Sequence, residues 1–204
     1  MSSLVKNKSI GIGVIGTGFM GKAHSIAYSA SASVFGMGLR PRLEIVCDLS
    51  PERASQRATD LGFSRYSDNW RDVVEDDQVH LVSVCTPNDT HAEIAIAALA
   101  AGKHVWCEKP MSTTLADSTA MANAAASSAG KTIIGYNYTK NPAVTHARRL
   151  IDDGVIGRVS GFFCRYDVDN EADGNRPWSW RMSRAQSGTG SNGDVLSHVI
   201  SVAH

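Results

Sequence analysis

The sequence predicts an α/β protein: a doubly wound parallel sheet of the Rossmann type, followed by the start of a second α/β domain. Three observations carry this reading. Short apolar runs alternate with helix-like segments through the first two thirds of the chain, the pattern of repeated βαβ units. The helix-like segments close on Gly62, Gly102 and Gly130, as helices commonly do. A G-x-G-x-x-G, Gly16-Thr17-Gly18-Phe19-Met20-Gly21, stands between the first strand and the first helix, where a phosphate cradle belongs.

Each element follows in order. The opening "MSSLVKNKSIGIGVIG" has lysines before an apolar stretch and could be misread as a signal peptide. Its glycines and polar flanks favour a first strand over 9–16 instead. Residues 22–35 have helical character, and 43–48 form a second strand. Ser50 then caps a helix with Pro51 at its first position and Gly62 at its end. A short segment at 64–66 precedes a helical stretch over 69–76. "VHLVSVC", 79–85, is uninterruptedly apolar enough for a central parallel strand. An alanine-rich helix ends at Gly102, a strand covers 104–108, a helix ends at Gly130, and a strand begins at Thr132. The pattern changes near residue 140. A helix over 142–152 stops at Gly154, and a long alternating strand covers 157–169. A polar loop rich in Trp, Arg and Gly runs to 191, and the rest is helical. The division expected is a dinucleotide-binding domain over 1–138 and a second domain over 139–204. One long strand cannot cover its own apolar face, so the second region reads as the beginning of a domain.

Composition narrows the function. The 204 residues are 43% hydrophobic and 20% charged, and the formal net charge is zero, ordinary values for a soluble protein. A neutral chain without a lysine-rich run does not suggest nucleic acid. The apolar stretches are too short or too broken for a transmembrane helix. Cys47, Cys85, Cys107 and Cys164 form no Cys-x-x-Cys pair and have no zinc spacing to a histidine. They read as buried thiols in a reducing cytoplasm, none in a turn beside a histidine, and no metal site is expected.

The glycine motif has a mechanical reading. Gly16 permits a tight turn, Gly18 lets the backbone approach a pyrophosphate, and Gly21 allows close packing of helix on sheet. Phe19 and Met20 lie in the same turn. Asp48 ends the second strand, where it would accept hydrogen bonds from a ribose 2′-OH and repel a 2′-phosphate. NAD is therefore expected over NADP, with Arg53 the residue to suspect otherwise. Asp48 lies 27 positions after Gly21, more than the roughly 20 usual for the motif. The surplus "ASASVFGMGLRP" reads as a surface insertion. The alternative is a glycine turn in another α/β fold with no nucleotide.

Two further stretches reach the carboxyl edge of the sheet, where open α/β sheets bind ligands. "CTPNDTH", 85–91, is a strand-to-helix turn; Thr86, Pro87 and Asn88 would line the dinucleotide path, with His91 near the cofactor. "VWCEKP" ends a strand on Glu108, Lys109 and Pro110. Proline stops the ladder and leaves an acid and an ammonium at the tip. Together, "GVIGTGFMG", "CTPNDTH", "AGKHVWCEKPMS" and "GYNYTKNPA" resemble the Gfo/Idh/MocA family of NAD(P)-dependent oxidoreductases over almost the whole chain. The resemblance implies a Rossmann domain followed by a domain with a large open, mainly antiparallel sheet. It implies action on hydroxyl or keto groups of sugars, inositols and related polyols. It places Glu108 and Lys109 at the nicotinamide and substrate, Lys109 on the reacting oxygen, and Asn137 near substrate or cofactor. Thr139 stands where the family often carries an arginine.

"SGTGSNGDVLSHVI" holds Asp194 and His198, four apart and so on one face of a helix. Histidine is the natural proton acceptor near neutral pH, and a carboxylate can orient it. From composition alone this is equally a surface pair after a glycine-rich loop; the segment resembles the family's G-x-G…D-x-x-x-H, which favours catalysis. Thr189 and Leu196 occupy places where the family often has glycine. Trp180 and Arg181 suit a sugar's C–H face and its oxygens, or else pack a domain interface. The expected reaction is hydride transfer from a polyol to NAD, with Lys109, Asp194 and His198 catalytic. Two rivals are an NAD-dependent glycoside hydrolase of similar fold and a dinucleotide-binding regulator without turnover. A homo-oligomer is left open.

Overall fold

The computed structural model describes residues 8–36, 38–169 and 172–204. The start of the opening stretch, "MSSLVKN", lies outside them, as do Met37 in the surplus and two residues of the polar loop. Six parallel strands form one sheet: β1 (Lys8–Ile15), β2 (Leu39–Cys47), β3 (Arg65–Ser67), β4 (Leu81–Val84), β5 (His104–Cys107) and β6 (Thr132–Ile134). Their order is β3-β2-β1-β4-β5-β6, all pairs parallel. The order reverses between β1 and β4, which opens a crevice at their carboxyl ends.

Helices connect the strands: α1 (Phe19–Phe35), α2 (Pro51–Leu61), α3 (Trp70–Glu75), α4 (His91–Ala100) and α5 (Leu115–Ser127). Ser50, Asn69 and Thr114 cap α2, α3 and α5 by accepting a backbone N–H, each cap worth about 1 kcal/mol. The period of two in β1 feeds two cores. Ile12 and Val14 join Val46, Ala58 and Phe63 on one face; Ile15 joins Ile45, Val82, Val84, Ile94 and Leu99 on the other. Gly13 keeps the second face thin, since a Cβ there would stand 2.3 Å from Val73 Cγ1.

The surplus between Gly21 and Asp48 lies at the surface as expected, but within regular elements and not as an insertion after the helix. The helix continues through Ala30–Phe35, and β2 begins at Leu39. The additional residues lengthen a helix and a strand beyond the core, so Val34 and Phe35 are exposed. Pro41 fits inside β2 because β3 covers only Ile45–Cys47, leaving the proline on a stretch paired on one side.

The second region adds α6 (Pro142–Asp152), α7 (Arg184–Ser187), a single turn of π-helix (Asn192–Leu196) and α8 (Ser197–Ala203). The long strand expected over 157–169 is not formed. Its alternation is present, but no neighbouring strand among the described residues offers it a ladder, and Phe163 is 92% exposed. A strand becomes one only by pairing.

Candidate active site

The glycine cradle has the mechanics its spacing requires. Gly16 adopts φ +93°, and a Cβ there would lie 2.5 Å from Cys85 O. At Gly21 a Cβ would lie 1.9 Å from Gly16 O, so α1 seats directly on the turn. At Gly18 a Cβ would meet nothing within 4 Å: the backbone there borders open space at the N-terminus of α1, where an anion is favoured. A cavity of about 360 Å³ adjoins it, lined by Gly16, Thr17, Gly18, Asp48, Arg53, Thr86, Pro87 and Thr90. Asp48 follows β2. Its Oδ2 accepts from Thr17 N at 3.2 Å and from the Thr17 hydroxyl, and its Oδ1 meets Arg53 Nε at 3.2 Å. An open glycine backbone and a fixed carboxylate at the strand end fit the pyrophosphate and ribose of a dinucleotide.

A second cavity, about 670 Å³, opens beside the cradle. Phe19, Met20, Glu108, Lys109, Asn137, Asp194 and His198 line it, with Tyr138, Tyr166, Arg176 and Arg181. The structure thus gathers residues from α1, the β5 tip, the turn after β6, the π-turn and α8 into one wall. Lys109 Nζ donates to Asp194 Oδ1 at 2.6 Å and to Asp194 O at 2.7 Å. Arg181 Nε approaches Asp194 Oδ2 at 3.7 Å. Burial pushes the Asp194 carboxyl up, but Lys109, Arg181 and His198 outweigh it and hold the carboxyl below its ordinary range.

His198 is buried among tyrosines. Its ring centroid lies 4.7 Å from Tyr138, 6.1 Å from Tyr136 and 6.3 Å from Tyr166. Burial, and then the Lys109 charge, push the imidazole down against the pull of Asp194 and Glu108. Its Nδ1 is buried without a hydrogen-bond partner. Asp194 does not orient the ring through a hydrogen bond: its oxygens are taken by Lys109 and Arg181. Spacing alone could not show this, because the lysine lies 85 positions away.

The other candidate residues lie as follows. His91 is fully buried behind the cleft. Its ring nitrogens sit 3.0 Å from Pro110 O and 3.0 Å from Thr86 O, so it ties the two edge loops together and meets no cofactor space. Asn88 is also buried, donating to Ser187 O at 3.0 Å. Trp180 lines the 360 Å³ cavity beside the cradle and Arg181 the 670 Å³ one, and the two share a third cavity of about 290 Å³ with Asn88 and Asp194. Glu108 reaches the 670 Å³ wall, but its Oε1 is bonded to His24 Nε2 at 3.0 Å. The same histidine lies close to a thiol, with Cys85 Sγ 3.6 Å from His24 Nδ1. Burial pushes the Cys85 thiol well up, so it stays protonated and inert. Cys164 is exposed, contrary to the buried reading.

His24, Thr17 and the tyrosines were not singled out from the sequence. His24 sits one helical turn after Gly21, a spacing that places it under the cradle, but only the fold shows its partner. Among the described residues, no helix is long and apolar enough to cross a membrane, and no group of three or more His, Cys, Asp or Glu could hold a metal ion.

Comparison with known proteins agrees with this geometry. Residues 10–136 match the Gfo/Idh/MocA oxidoreductase family with its NAD-binding Rossmann fold, and residues 144–204 match a C-terminal domain of the same family. The chain is 41% identical over 197 residues to levoglucosan dehydrogenase of Pseudarthrobacter phenanthrenivorans, covering 96% of this chain and 50% of that protein. It is 30% identical over 151 residues to inositol 2-dehydrogenase of Rhizobium meliloti, covering 74% of this chain and 43% of the relative. Among solved structures, an oxidoreductase domain protein from Kribbella flavida superposes with TM-score 0.89 at 43% identity, over 96% of this chain and 53% of that one. Levoglucosan dehydrogenase in complex with NADH and levoglucosan superposes with TM-score 0.89 at 38% identity, over 96% and 53% of the two chains. The chain thus spans about half the length of the curated relatives it matches. With the cradle, the acidic residue after β2 and the Glu-Lys-Pro tip of β5 all in place, this chain belongs to the Gfo/Idh/MocA oxidoreductase family.

Proposed function

We propose that the chain carries the cofactor site and reaction centre of an NAD-dependent dehydrogenase. Its substrate is a secondary hydroxyl of an anhydrosugar, inositol or related cyclic polyol. The observation that carries this is the meeting, in one cavity beside the glycine cradle, of the Lys109 ammonium and a buried His198 with an unpartnered nitrogen. A bound nicotinamide supplies the hydride acceptor. The chain's own residues do the rest. The Gly16–Gly21 turn and α1 hold the pyrophosphate by backbone N–H groups. Asp48 accepts from the ribose hydroxyls. Lys109 has three N–H donors, two of them engaged by Asp194. The third is free for the substrate oxygen, whose developing negative charge it stabilises. His198, held neutral by burial, receives the hydroxyl proton. Asp194 positions the lysine rather than the histidine. The names of the relatives support the substrate class: one is a levoglucosan dehydrogenase, one an inositol 2-dehydrogenase, and one solved complex holds NADH with L-sorbose.

The test is NAD reduction with levoglucosan, a panel of inositols and L-sorbose, followed by NADH absorbance, on the chain and on its His198→Asn variant. NADH formation that depends on a polyol and falls about 100-fold or more in the variant is expected. NADH binding without reduction of NAD by any polyol would favour a non-catalytic binding role. Formation of a hydrolysed glycoside without net NADH would favour the hydrolase reading.

A further inference from the structure

Behind the β5 tip lies a buried polar network that the reaction above does not use. His24 and Glu108 are 5% and 6% exposed, joined at 3.0 Å. The other His24 nitrogen faces Ser83 Oγ at 3.2 Å, and Tyr28 OH lies 2.7 Å from the same hydroxyl. Trp106 packs on the imidazole with centroids 4.4 Å apart. Gly135 makes room for the acid: a Cβ there would lie 2.4 Å from Glu108 Oε1. Burying a carboxylate is costly unless it is paired, and replacing a buried ion pair by apolar side chains is often neutral or stabilising. An acid is nevertheless held there, in the wall of the 670 Å³ cavity and one residue before Lys109.

We propose that His24 is a positioning residue of the reaction centre: it fixes the Glu108 carboxylate in the cavity wall as a negative charge that acts on His198. The inference rests on His198 being the proton acceptor. The titratable and charged groups around His198 are Lys109 and Glu108 from the β5 tip, Asp194 from the π-turn, and the phenols of Tyr136, Tyr138 and Tyr166. Arg176 and Arg181 line the same cavity. Around Glu108 stand His24, Lys109 and the neutral thiols of Cys85 and Cys107. Of these charges Lys109 disfavours the imidazolium, while Asp194 and Glu108 favour it. Asp194 is also bound by Lys109 and Arg181. Glu108 is bonded to a histidine instead, so its field at His198 depends on His24 staying in place.

The experiment is a pH titration of the histidine side chains of the chain by NMR, with no cofactor or substrate. The His198 signal is identified by its loss in His198→Asn. Glu108→Gln, which keeps shape but removes charge, is expected to shift the His198 midpoint downward. His24→Leu leaves the carboxylate buried without its donor and no longer fixed in the wall, and the midpoint shifts downward too. The double variant shifts no further than Glu108→Gln alone. His24→Gln, which still offers a donor, stays nearer the wild-type midpoint. An unchanged midpoint in Glu108→Gln overturns the proposal, as does a His24→Leu shift that persists in full when residue 108 is already Gln. Lower melting temperature with unmoved midpoints would reduce the network to packing and likewise overturn it. The titration reads no turnover, so a chain inactive toward every polyol would count against the proposed reaction and not against this charge coupling.

Discussion

Single atoms set the outcome at the residue scale. Asp48 stands between Thr17 and Arg53, so its charge is fixed beside the cradle but partly compensated. NADH is therefore expected to bind more tightly than NADPH in a fluorescence titration. Arg53→Ala removes the compensating cation and should widen that gap by weakening NADPH; a narrowed gap would show that the arginine does not serve the 2′-phosphate. Lys109→Ala is expected to lower turnover by about 100-fold or more, the size of losing one donor to a developing oxyanion. NADH affinity should hold, because the lysine is not in the cradle. Two histidines link the site to acid stability. Burial pushes both His91 and His198 down from their ordinary value of 6.5. The unfolded chain then binds more protons than the folded one below that pH. Their contribution to stability is complete above about pH 6.5 and is lost as pH falls through their folded values. Thermal melts should show stability falling on acidification, less steeply in His91→Gln. An equal slope in that variant would remove His91 from the linkage.

At the scale of elements, the strand–turn–helix of β1 and α1 makes two glycines separable. A Cβ at Gly21 would strike Gly16 O, whereas one at Gly18 would enter open space. Gly21→Ala should lower both melting temperature and NADH affinity; Gly18→Ala should keep the fold and lose only affinity. Equal melting losses in both would deny Gly18 its ligand-facing role. The same element shows why some of the fold was legible in the sequence. Gly16, Gly18 and Gly21 work through local backbone geometry, and Ser50 and Asn69 cap their own helices; such roles depend on neighbours a few residues away. The alternation of apolar runs likewise exposed the parallel sheet. The segment over 157–169 misled because its alternation was real and its pairing depends on strands elsewhere. Glu108 and His24, Lys109 and Asp194, and Asn88 and Ser187 were illegible as pairs. They are 84, 85 and 99 positions apart, and only the completed fold decides which polar groups meet.

Across the whole molecule, the sheet edge and the second region share the cleft. Asn88 of the β4–α4 loop donates to Ser187 O, Lys109 holds Asp194, and Trp180 and Gln186 line the cavity beside the cradle. A ligand of that cavity should therefore stabilise both regions. At about 100 times its dissociation constant NADH adds about 2.7 kcal/mol to folding, to be read as one cooperative rise in Tm; two transitions, of which only the first moves, would mean the regions melt apart. The Asn88–Ser187 bond carries a further consequence for time rather than affinity. It ties the segment bearing Trp180 and Gln186, which line the cavity beside the cradle, to the β4–α4 loop. Cutting that one bond, as in Asn88→Ala, is therefore expected to shorten the residence of NADH in a stopped-flow chase while the rate of capture changes little.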